Sequence, residues 1–197
     1  MPLTTQGRND LLTNGATAWT HVSAMTDLGV TEISGSTRQA ITWAAAASGI
    51  RDNAGAIAVP IAAGTTVMVG ALYSALTAGN LEGWFQIGST LRGVGTVVTI
   101  AGDAISSNGH GLANTNRVFV TTVAGEALPA GLSATTLYFV VGATTDTFQL
   151  SLTSGGAAVD ITGLGDVAWF RTVPEGFTNA GNLNIAAGAL DLDASFA

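Results

Sequence analysis

Between Arg92 and Pro174 the chain is punctuated by turn-forming residues. The breaks are Asn108-Gly109, Pro129-Ala130-Gly131, Gly155-Gly156 and Gly163-Leu164-Gly165. The runs of β-branched and other apolar residues bounded by these and further Gly, Asn, Asp and Pro residues are short. They suit short strands, and candidates lie at Thr96–Ala101, Arg117–Val123, Thr136–Val141, Thr147–Leu152, Ala158–Thr162 and Val167–Val173. Regular short strands with turn signals between them indicate an all-β sandwich, roll or barrel.

The residues before Arg92 carry the same texture at wider spacing. Strand compositions occur at Trp19–Met25, Gln39–Trp43, Ala56–Ile61, Thr66–Tyr73 and Leu81–Ile87, with Gly83 placed for a bulge. Leu183–Leu192 reads as one more strand. A single short helix is expected at the amino terminus, capped by Thr4 or Thr5, continued by Asn9-Asp10-Leu11-Leu12 and left through Asn14-Gly15 in a left-handed exit. Ala44–Ala47 has helical propensity but is too short to nucleate. The uncharged stretch 54–76 is long enough to span a bilayer. Pro60, Gly64 and flanking β-branched residues favour two strands joined by an Ala62-Ala63-Gly64 turn, so no membrane span is expected.

A seam divides the chain. Residues 93–171 read as a self-contained inserted β module between Leu91-Arg92-Gly93 and Thr172-Val173-Pro174. Residues 1–92 and 172–197 then form an outer, sandwich-like β domain. The fold class expected is all-β, with one short N-terminal helix and a small roll or barrel inserted.

Charge is scarce: 197 residues carry six Arg, no Lys and 13 acids, a net charge of −7, and only 10% are charged against the usual quarter. Such a chain cannot neutralise many phosphates, so nucleic-acid binding through a basic face is excluded. The absence of Cys removes disulfides, thiolate metal sites and thiol nucleophiles. The amino terminus lacks the apolar run of a signal peptide, and the expected life of the protein is cytoplasmic until assembly or lysis. Ala, Gly and Thr fill 86 positions. A surface of small neutral residues is inexpensive to desolvate and has little rotamer entropy to lose, which suits packing against copies or neighbours.

The inventory for chemistry is thin. His21 and His110 each stand without spaced partners, and are read as a strand residue and a turn residue. Neither Ser34-Gly35-Ser36 nor Ser154-Gly155-Gly156 makes a nucleophile elbow. Gly93-Val94-Gly95 lacks the third glycine of a dinucleotide site and is read as a loop. Asp191 and Asp193 share one strand face but fall short of the six to eight oxygens of a Ca²⁺ site. No carboxylate pair stands out for glycoside hydrolysis. Trp19, Trp43, Trp84 and Trp169 could stack on sugars, although filling a β core is their commoner use. No catalytic residue, metal or cofactor is assigned.

One resemblance goes further than composition. Gly109-His110-Gly111-Leu112-Ala113-Asn114, Arg117-Val118-Phe119, Leu128-Pro129-Ala130-Gly131-Leu132, Leu137-Tyr138-Phe139-Val140-Val141 and Asp146-Thr147-Phe148-Gln149-Leu150-Ser151 occur in that order, followed by Gly155–Thr162. Together they resemble a small β module recurrent in bacteriophage virion proteins, over most of 104–166. The outer part is similar, more loosely, to a family of minor tail or fibre-like phage proteins over about 1–90 and 183–197. The N-terminal helix, Arg38–Trp43, Val59–Val67, Gly79–Phe85 and Leu190–Asp193 carry that similarity. The inserted module is a departure from simpler members.

The resemblance implies a non-enzymatic virion structural protein of the tail tip, baseplate or fibre, with no catalytic residues to carry over. Its partners would be itself, as a cyclic oligomer with a trimer favoured, and other virion proteins. A capsid decoration protein is the near alternative. A carbohydrate-binding or depolymerising protein directed at host cell-surface glycan is the alternative from another class.

Overall fold

A computed structural model describes Gln6 and residues 12–29, 32–123 and 126–193. The strands before the module are β1 (His21–Met25), β2 (Gln39–Ala40), β3 (Ile50–Asp52), β4 (Ile57–Ile61), β5 (Thr65–Val67), β6 (Val69–Tyr73) and β7 (Leu81–Phe85). The next six are β8 (Arg92–Val97), β9 (Ile105–Ser106), β10 (Arg117–Thr121), β11 (Tyr138–Val141), β12 (Thr147–Ser151) and β13 (Gly165–Thr172). Three close the chain: β14 (Glu175–Phe177), β15 (Gly181–Ile185) and β16 (Asp191–Asp193). The protein is all-β.

Two compact units result. One holds 1–26, 30–85 and 176–197, the other 86–175 with the short piece 27–29. The second extends a few residues beyond 93–171 on each side for a specific reason. Val173 N–H donates to Ile87 O at 2.9 Å and Arg171 N–H to Leu91 O at 2.9 Å, so the segments flanking the barrel pair with each other.

In the first unit β2-β1-β6-β7 form a four-stranded sheet. The register slips between Leu72 and Tyr73, opposite Leu81 and Gly83, which leaves Glu82 as the extra residue of a bulge. The last three strands return along the earlier chain in reverse order, β14 on β5, β15 on β4 and β16 on β3. Asn53 fixes that return. Its side chain is 1% exposed; Nδ2 donates to Gly55 O and Ala186 O at 2.7 and 2.9 Å, and Oδ1 accepts from Leu190 N–H at 2.9 Å. Both amide hydrogens and the amide oxygen are engaged, as burial of an amide demands.

In the second unit the strands close into a barrel of order β10-β11-β12-β9-β8-β13. Trp169, Phe148, Tyr138 and Ile105 fill it. Gly93 and Gly95 make room for that filling: a Cβ on Gly93 would stand 2.8 Å from the Trp169 ring, and one on Gly95 would collide with Ile105. Gly93-Val94-Gly95 is therefore part of strand β8 and not a loop; the glycines serve packing.

Other expectations are corrected for physical reasons. The strand expected at 96–101 ends at Val97, because residues 98–104 turn the chain into β9. Ala158–Thr162 is no strand: it crosses one mouth of the barrel, with Ile161 buried in the core. Leu183–Leu192 is two strands separated by a turn at 186–190, and Thr66–Tyr73 breaks at Met68. The 54–76 stretch forms β4, β5 and β6, and no described helix is long and apolar enough to cross a membrane. Of the N-terminal helix, Leu12–Gly15 is described, while Thr4, Thr5, Asn9, Asp10 and Leu11 lie outside the described residues. Its exit is not left-handed; Thr17 Oγ1 closes it by donating to Asn14 O at 2.6 Å.

Asn53→Ala removes three side-chain hydrogen bonds and strands buried backbone groups of the returning segment. It is expected to cost about 2–4 kcal/mol in chemical denaturation. Asn53→Asp, which cannot donate, should be little better.

Candidate functional site

The two histidines lie in different units. His21 opens β1 and its Nδ1 pairs with Thr20 Oγ1 at 2.8 Å; that hydroxyl itself donates to Ser74 O at 2.7 Å. The ring is thus part of a strand-end network. His110 is 4% exposed on the 107–116 connection, which joins β9 to the non-adjacent β10 and so crosses a barrel mouth. Its Nδ1 accepts from Leu112 N–H at 2.9 Å and its Nε2 lies 3.2 Å from Thr147 O. A backbone N–H only donates and a carbonyl only accepts, so the ring is the neutral Nε2–H tautomer. Its edge contacts with Phe148 and Trp169, at centroid distances of 5.1 and 6.4 Å, complete a plug. Both nitrogens are occupied by structure.

Asp191 lies opposite Asp52 in the β16–β3 register, and one Asp52 carboxylate oxygen is buried without a hydrogen-bond partner. Among the described residues no three His, Asp or Glu side chains come together as a metal site would need. None of the four tryptophans is exposed: Trp169 is in the barrel core and Trp43 donates its indole N–H to Trp19 O at 2.7 Å. An exposed tryptophan platform for sugar is therefore missing.

Sequence reading missed an ion-pair cluster in the first unit. Arg38 reaches Glu32 through Nε and Nη2, at 2.8 Å for the closest approach, and donates through Nη1 to Ala75 O at 2.7 Å. Its guanidinium lies over the Tyr73 ring, 3.5 Å from the centroid. An open groove of about 470 Å³ runs beside it, lined by Ser36, Thr37, Leu76 and Thr77. Burial raises the Glu32 pKa, but hydrogen bonds from Arg38 and Ser23 and the Arg38 charge outweigh it, and the net shift is downward. Burial, then the Glu32 charge, pushes the Tyr73 phenol above its ordinary value of 10. Arg38 spends its donors within the fold, so the cluster is a pin holding the 32–38 segment to β6. Nothing in the spacing of Glu32, Arg38 and Tyr73 signals it.

The second missed feature is one end of the barrel. Strand directions put both chain connections, at Arg92 and Thr172, at one end together with the 107–116 and 142–146 loops. The opposite, distal end is built from the loops 98–104, 122–137 and 152–164. Four large aliphatic side chains stand exposed on it: Val98 (67%), Ile100 (52%), Leu152 (64%) and Leu164 (62%). Val97 and Gly165 are cross-strand partners, so Val98 and Leu164 leave the barrel side by side. Grouped exposure of this kind marks an interaction surface more often than single surface apolar residues do. No family model, curated protein or solved structure matches the chain.

Two outcomes follow. The Glu32 carboxyl is held below its ordinary 4.5, so its pairing stabilises the fold above that value and the benefit is lost as pH falls through the lower, folded value. The stability gap between the parent chain and Glu32→Gln should be largest at neutral pH and shrink below 4.5 in melts across pH. His110→Ala should cost about 2–4 kcal/mol, because Leu112 N–H loses its acceptor and the plug loses its aromatic edges.

Proposed function

We propose that the chain is a non-enzymatic structural protein of a bacteriophage virion, associated with the tail tip, baseplate or a fibre. It works by assembling with copies of itself and with neighbouring virion proteins, and by presenting the distal end of its barrel. The observation that carries this reading is the layout of the barrel: tethered at one end, and bearing four exposed aliphatic side chains at the other. A body held and offered in this way joins one surface to another. The ordered motifs over 104–166 that resemble a phage virion module support it, as does an exterior poor in charge, which is suited to repeated contacts. A cyclic homo-oligomer, with three-fold symmetry favoured, fits that mode of action.

Quantitative mass spectrometry of purified particles of the phage that encodes the chain tests this. A few copies per particle are expected; copy numbers approaching those of the major capsid protein would make it a head decoration protein. Its absence from particles would overturn the proposal. Native mass spectrometry at micromolar concentration should give a trimer, and a strict monomer would rule out self-assembly as the mode of action.

A further inference from the structure

The cations of the barrel unit all lie at one end of its axis, together with Asp146 and Glu175, and the other end carries acids alone. Within Gln86–Glu175 the cations are Arg92, Arg117 and Arg171. Arg92 and Arg117 are the first residues of β8 and β10, and Arg171 is the last but one of β13, so all three belong to the end with the chain connections. The distal end carries Asp103, Glu126, Asp160 and Asp166 and, among its described residues, no cation. Three of these acids are held by hydrogen bonds within the unit. Asp103 Oδ1 accepts from Ile161 N–H at 2.8 Å, Glu126 Oε2 from Asp166 N–H at 3.2 Å, and Asp166 Oδ1 from the Thr96 hydroxyl at 2.5 Å. Three of the four carboxylates are thereby fixed at the end that exposes Val98, Ile100, Leu152 and Leu164.

We propose that the distal end of the barrel docks a protein partner whose surface carries Lys or Arg side chains around an apolar patch. The inference rests on the reading of the chain as an assembly protein and names the chemistry of its neighbour. Fixed carboxylates set against cations favour encounter and exclude acidic competitors, while the aliphatic side chains supply the buried area. A second copy of this chain meets the requirement poorly. Two distal ends face to face would oppose four carboxylates with four. The chain has no Lys, and of its six Arg three, Arg38, Arg51 and Arg117, are engaged with Glu32, with the carbonyls of Ala44, Leu12 and Thr13, and with the Phe139 ring.

The test is an amide chemical-shift titration of the isotope-labelled full chain with a synthetic amphipathic peptide of alternating Leu and Lys, and with its Leu/Glu counterpart. The Leu/Lys peptide should shift residues of 98–104, 152–164 and the start of β13, and the Leu/Glu peptide should not. Binding should weaken in about 0.5 M salt, where charges are screened beyond a few ångströms. It should also fall about ten-fold or more in Leu152→Ser/Leu164→Ser, whose exposed positions leave the fold intact by circular dichroism. Shifts mapping elsewhere, equal binding of both peptides, or no binding would overturn the proposal. Concentration-dependent self-association that protects the same loops would overturn it in favour of a second copy. A chain that binds the peptide here but is missing from particles refutes only the virion reading; one present in particles that binds nothing here refutes only this inference.

Discussion

The first unit exists because the chain comes back. Residues 175–193 supply one strand each to β5, β4 and β3, across separations of more than a hundred residues in all three pairs. Contacts so distant in sequence carry a loop-closure cost before they return anything. The barrel reduces that cost. Once it has closed, Ile87 and Val173 are hydrogen-bonded neighbours, so the chain leaves the module beside the place where it entered. The returning strands then behave as if joined by a short connection. Asn53 locks the result by tying the 186–190 turn to the segment between β3 and β4.

Closure of the barrel imposes its own demands. Six short strands enclose a narrow space, and both connections between non-adjacent strands must pass over a mouth. The 107–116 connection delivers His110 and Leu112 to one mouth, and the 152–164 connection delivers Ile161 to the other. A polar ring is tolerated in the first because both its nitrogens are paired. In the second the buried residue is apolar and its backbone N–H is satisfied by Asp103. Gly131 (φ 99°) lets the backbone there pass closely against Asp160, where any Cβ would collide with the Asp160 carbonyl. The plugs thus turn apolar side chains inward, and Val98, Ile100, Leu152 and Leu164 are the most exposed large apolar residues of the unit.

The β class and most strand centres were legible because they are local signals: turn residues, β-branched runs and shifts of spacing. What could not be read is set by distant partners. Ala158–Thr162 alternates as a strand would, yet it has a barrel mouth to cover and no free edge to join. Gly93 and Gly95 look like a loop until Trp169 and Ile105, far along the chain, are placed over them. Leu183–Leu192 looks continuous because nothing in its composition reveals that Asn53 captures its middle. Glu32 and Arg38 are six apart and Tyr73 lies thirty-five further on, so their cluster has no signature in one dimension. The distal surface is hidden for the same reason, since its four aliphatic residues come from two loops that meet only when the barrel closes.

The charge pattern of the barrel is best understood from what its strands can tolerate. Arg92, Arg117 and Arg171 sit at strand ends where aliphatic stems can cover the barrel wall while the guanidinium reaches polar groups. Arg117, stacked 3.8 Å over the centre of the Phe139 ring, shows that arrangement, and burial lowers its pKa without bringing an arginine near neutrality. Carboxylates do different work. Asp103 and Asp146 accept from backbone N–H groups of the two loops that cross a mouth, Glu126 accepts from the Asp166 N–H and Asp166 from the Thr96 hydroxyl. Among its described residues, the distal end holds acids without a cation beside them. The consequence is a surface of one sign around exposed aliphatic side chains, and a surface of that kind discriminates among partners by charge before any close contact is made.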